Sequence, residues 1–73
     1  MTETKKHSVL LSGHRTSISL EEEFWDKLKE ICEQHGKSIN QQITEIDNDR
    51  LERPNQSLSS AIRVHILEQM NKN

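Results

Sequence analysis

Arg15, Ser17 and Ser19 are the side chains of this sequence best placed to do chemistry, and that chemistry is recognition rather than catalysis. They alternate with Thr16, Ile18 and Leu20 in the stretch His14-Arg15-Thr16-Ser17-Ile18-Ser19-Leu20. On an extended strand successive side chains point to opposite faces, so one face is apolar and the other carries a guanidinium and two hydroxyls. A guanidinium fork can donate two hydrogen bonds to guanine O6 and N7, and a short hydroxyl can donate to or accept from either base type. Taken alone, the pattern also describes an ordinary solvated strand.

Other constellations are lacking. His7, His14, His35 and His65 are not spaced with one another, or with Cys32, as metal ligands. Cys32 falls on an apolar helical stripe and reads as a small core residue. No phosphate loop or nucleophile elbow is present. An enzyme is therefore not expected, and neither is a cofactor or a metal.

The elements that position the alternating stretch follow at once. After Leu20 the apolar period changes from two to about 3.6, which marks a strand running into a helix. This first helix is expected over residues 21–35, with Phe24, Trp25, Leu28, Ile31 and Cys32 on one stripe and Gly36 as a left-handed stop. Ser19 and Glu22 fit a capping box, which competes with Ser19 as an outward strand residue. A second helix is expected from Ser38, capped with Gln41, to about residues 50–52, and Ile39, Ile43 and Ile46 form its inward row. Pro54 disfavours helix for Arg53, and Asn55-Gln56 completes a break. A third helix is expected over residues 57–70, with Leu58, Ala61, Ile62, His65 or Ile66, and Met70 along one side.

A lone short strand leaves its backbone polar groups open on both edges. The expected mate is the same strand of a second copy, antiparallel across a two-fold axis. Val9-Leu10-Leu11 would then extend the ribbon or lie against the dimer. An alternative is that they turn back through Ser12-Gly13 as a hairpin, although Ser-Gly is a weaker turn signal than Asn-Gly.

The motif Arg15-Thr16-Ser17-Ile18-Ser19-Leu20, the helix after it and Gly36-Lys37-Ser38-Ile39-Asn40 opening another helix resemble the ribbon-helix-helix family of DNA-binding proteins. The resemblance spans roughly residues 14–50. It implies a mainly α fold with one short β-strand: an intertwined homodimer with an intermolecular two-stranded antiparallel ribbon, plus an extra C-terminal helix. Ser57-Leu58-Ser59-Ser60-Ala61-Ile62-Arg63 also looks like a family-type second helix; Ser38 is preferred for that role because the Gly-Lys link follows the first helix directly. The implied division is a flexible or extended arm (1–13), a ribbon-helix-helix core (14–52), and a linker with the C-terminal helix (53–73). Arg15, Ser17 and Ser19 would contact bases. Lys37, Ser38 and Ile39 at the second helix start, with Lys5 and Lys6 of the arm, would contact phosphates. Ile18, Leu20, Trp25, Leu28, Ile31 and Ile43 would form the dimer core.

Size and charge frame this reading. The 73-residue chain is 30% hydrophobic, with one Trp, one Phe and one Cys. So small a core rarely holds a fold without a staple; with disulfides excluded, dimerisation is the economical answer. No run approaches the roughly 20 apolar residues of a membrane span, no signal peptide is visible, and a lone cysteine suits a reducing compartment, so a cytoplasmic location is expected. The net charge of −2 is unusual for a nucleic-acid binder. Positive charge is, however, concentrated before Glu21, where the ribbon would meet DNA. The expected function is sequence-specific binding of double-stranded DNA by a dimer acting as a transcriptional repressor or autoregulator, with tandem dimers on repeated half-sites. The alternative is a protein-interaction module, a dimeric adaptor or antitoxin-like partner that binds another protein through the C-terminal helix.

Overall fold

Two tight-turn residues decide the topology. Ser12 and Gly13 both have positive φ, 51° and 81°. Positive φ at both central residues defines the type I′ turn, whose twist matches that of paired strands. The chain therefore folds back on itself, and β1 (Thr4–Leu11) pairs antiparallel with β2 (His14–Glu21) from Leu11↔His14 to Thr4↔Glu21. The computed structural model describes residues 3–52 and 56–72; the break expected at Pro54 and Asn55 lies outside them.

This pairing corrects the expected ribbon. The mate of β2 is β1 of the same chain, and residues 4–11 of the arm expected to be flexible or extended form that strand. Among the described residues the fold accordingly has two strands where one was expected. Ser-Gly is a weak signal by composition, yet glycine takes the second positive-φ position at no steric cost and serine tolerates the first.

Three helices pack on the hairpin: α1 (Glu22–His35), α2 (Ile39–Arg50) and α3 (Leu58–Met70). Glu21 holds the N-cap position of α1 and makes no side-chain cap bond. The Ser19–Glu22 capping box is thus not formed, and Ser19 remains a strand residue. Gly36 ends α1 at φ 66°, with Gly36 N–H donating to the Glu33 carbonyl at 3.2 Å and Lys37 N–H to Cys32 at 2.9 Å. These two bonds form the Schellman pattern that satisfies the last carbonyls. Ser38 caps α2 by accepting the Gln41 amide at 3.1 Å, and Ser57 caps α3 by accepting the Ser60 amide at 3.1 Å.

The core draws on every element: Val9 of β1, Ile18 and Leu20 of β2, Leu28, Ile31 and Cys32 of α1, Ile43 and Ile46 of α2, and Ala61, Ile62 and Ile66 of α3. Trp25 and Ile39 pack against it half-buried. Of the side chains assigned to a dimer core, Ile18, Leu20, Leu28, Ile31 and Ile43 are thus buried within one chain and Trp25 is half-buried, and α3 belongs to the same core. Met70, expected on the inner side of α3, is 55% exposed. His7 stacks on Trp25 with ring centres 3.9 Å apart and its Nε2 lies 3.3 Å from Glu22, which fastens β1 to α1.

Candidate nucleic-acid interface

Alternation along the hairpin sorts its side chains into two faces. Val9, Ile18 and Leu20 point inward and are buried. The outward face carries Lys6, Ser8 and Leu10 from β1 and Arg15, Ser17 and Ser19 from β2, all exposed. Register sets them in rows: Lys6 opposite Ser19, Ser8 opposite Ser17, and Leu10 opposite Arg15. Arg15, Ser17 and Ser19 therefore share one exposed face, as the alternation predicts. Sequence reasoning missed Ser8 and Leu10, because without the hairpin nothing places them beside Arg15. Lys5 and Lys6 fall on opposite faces; only Lys6 joins the row of Ser19.

Both edges of the hairpin meet a helix start. Leu10 N–H donates to Asn40 Oδ1 at 3.1 Å, bringing the first turn of α2 to the edge of β1. Ser59 Oγ donates to the Ser19 carbonyl at 2.8 Å, bringing the first turn of α3 to the edge of β2. The capped starts of α2 and α3 thus flank the hairpin. Helix N-termini attract anions through their unpaired amides and dipole. At α2, Ser38 and the Ile39 backbone are placed for this, but Lys37 is committed to Glu45 at 2.7 Å.

Pairing of the other cations is the main electrostatic feature. Lys27 meets Glu30, Lys29 meets Asp26, Arg50 meets Asp47, and Arg63 meets Glu21. Arg63 donates to Glu21 Oε1 from Nε at 3.0 Å and Nη2 at 2.7 Å, which holds the Glu21 carboxyl below its usual pKa. Among the described residues, the Lys and Arg side chains without an acidic partner are Lys5, Lys6, Arg15 and Lys72. Three of the four lie on the hairpin. Five of the twelve acids pair with Lys27, Lys29, Lys37, Arg50 and Arg63, and Lys5, Lys6 and Arg15 leave the hairpin positive.

Beyond this face little chemistry is offered. Cys32 is buried and burial pushes its thiol pKa up. Burial pushes the His65 pKa down, and its enclosed Nε2 has no hydrogen-bond partner. Among the described residues no group of His, Cys, Asp or Glu could hold a metal ion, and no helix is long and apolar enough to cross a membrane.

A family model described as a ribbon-helix-helix domain matches residues 4–70, which takes in both strands and all three helices. Neither the comparison with curated proteins nor that with solved structures yields a match. With the family model covering nearly the whole chain, the protein belongs to the ribbon-helix-helix domain family.

Proposed function

From that membership we propose that the chain is a homodimeric, sequence-specific DNA-binding regulator, a repressor or autoregulator, which reads the major groove with the outward face of its hairpin. The observation that carries this reading is the unpaired cation set: Arg15 and Lys6 stand exposed on one ribbon face with Ser8, Ser17 and Ser19, while Lys27, Lys29, Lys37, Arg50 and Arg63 pair with acids. Arg15 would hold guanine, the two β2 serines would adapt to neighbouring bases, and Lys6 with the helix starts would touch phosphates.

The dimer is supported by the outer edge of β2. In a two-residue hairpin the pair beside the turn exchanges hydrogen bonds and the pairs then alternate. The backbone groups of Arg15 and Ser17 therefore point away from β1 without a partner among the described residues, and the open stretch of that edge ends at Ser19, whose carbonyl accepts from Ser59. A second copy adding its β2 there would give the order β1-β2-β2′-β1′. At about 4.8 Å per strand the outer strands stand roughly 14 Å apart, against a groove about 12 Å wide. The central strands would enter the groove, and the β1 strands would ride at its walls, where Lys6 meets phosphate. One such dimer reads few base pairs, so tandem dimers on repeated half-sites belong to the proposal.

A protein partner bound through α3 is the second reading, favoured by the exposure of Leu67 and Met70, 59% and 55%. A mobility shift on DNA upstream of the protein's own gene separates the two. The DNA reading expects a shift that Arg15→Ala weakens while the fold is kept. Absence of any shift, with a protein retained through α3 in a pull-down, would favour the second.

A further inference from the structure

We propose that β1 supplies a second row of the base-reading face, with Leu10 packing on a thymine C5-methyl beside the base held by Arg15. The inference rests on the DNA-binding reading and adds to it a residue and a base preference. Leu10 lies directly opposite Arg15 in the hairpin register. Its amide bonds to Asn40 rather than to β2, so this is a pair that does not exchange hydrogen bonds. In such pairs the Cα atoms approach to about 4.5 Å and the side chains lie side by side.

Leu10 is also the one apolar side chain on that face, and it is 47% exposed. Scattered exposed leucines are ordinary, so exposure alone decides nothing. Placement decides it: Leu10 is set on a rigid strand, held by the Asn40 bond, and adjoins the guanidinium best suited to guanine. The thymine methyl is the apolar feature that the major groove displays. That methyl stands toward the groove wall on the side of its own backbone, where a flanking β1 would ride. Strand spacing of about 4.8 Å against a base-pair rise of about 3.4 Å puts the thymine one or two base pairs from the guanine.

The test uses the full chain and a duplex it selects from a random pool. Each thymine is replaced in turn by deoxyuridine, which removes only the methyl. One thymine per half-site, within two base pairs of the Arg15-dependent guanine, is expected to weaken binding about fourfold on losing its methyl. Leu10→Ala is expected to abolish that difference while the dependence on Arg15 and the circular dichroism spectrum are retained. A chain that selects no duplex overturns the DNA reading and this inference with it. A chain whose Arg15-dependent binding shows no thymine–uracil difference, or keeps the difference in Leu10→Ala, overturns this inference alone. The uracil scan on the unaltered chain stands whether or not the variant folds.

Discussion

The Leu10 amide donates to Asn40 Oδ1 at 3.1 Å across thirty residues of sequence, so the hairpin is fixed to the first turn of α2 by a bond at its outer edge. Asn40→Ala removes the acceptor and leaves the amide to solvent. The expected loss is about 0.5–1.5 kcal/mol, with faster hydrogen exchange at Leu10. Asn40→Asp keeps an acceptor at a helix start that favours acids and should restore protection. Unchanged exchange in Asn40→Ala would mean that the bond does not hold the strand.

Val9 tests whether β1 is structural. It is 3% exposed and sits in the core with Ile18 and Leu20. Val9→Ala should cost about 1.5–3 kcal/mol, from lost burial plus the cavity left behind. In a domain this small that is a large share of total stability, read as a lower urea midpoint. A solvated arm would lose nothing.

Much of this architecture was legible in the sequence. Gly36 and the Ser38 cap marked helix ends because a positive φ and unpaired amides demand those residue types, and Ile43, Ile46, Ala61 and Ile62 declared their burial by spacing. The hairpin was harder to see. Val9-Leu10-Leu11 shows no alternation, since Leu10 is apolar on the outward face, and Ser12 gives little sign of accepting positive φ. Missing β1 then hid Ser8 and Leu10 from the candidate face. Pairing between distant residues was also out of reach: Lys37 looked like a free cation because its contact with Glu45 depends on how α2 follows the Gly36 turn.

Salt dependence follows from the unpaired cations. With Lys6 on phosphate and Lys5 next to it on β1, each dimer would neutralise roughly four phosphates, giving a slope of log affinity against log salt of about −3.6. Lys6→Ala should make the slope shallower by nearly two per dimer and weaken binding to all duplexes alike. A slope unchanged by Lys6→Ala would remove Lys6 from the phosphate contacts.

Acid should destabilise the domain through His65. Burial lowers its pKa from an ordinary 6.5, so the folded chain resists a proton that the unfolded chain accepts. Above about pH 6.5 both states are neutral there and the group has no effect. Below it, stability falls with pH until the folded pKa is passed. His65→Asn should flatten urea midpoints between about pH 7.5 and 5.5. The Glu21 carboxyl, lowered from 4.5 by Arg63, acts in the same direction but only at more acid pH, so the two windows are separable. A midpoint that still falls in the variant between those two pH values would place the effect elsewhere.

Guanine N7 lies in the major groove and is the acceptor assigned to Arg15, so methylation protection at N7 on a duplex selected by the chain tests the account most directly. The account predicts discrete protected guanines in each half-site, with protection lost and affinity reduced at least about tenfold in a folded Arg15→Ala variant. A folded protein that selects no duplex, or protects the same guanines without the Arg15 side chain, would contradict it.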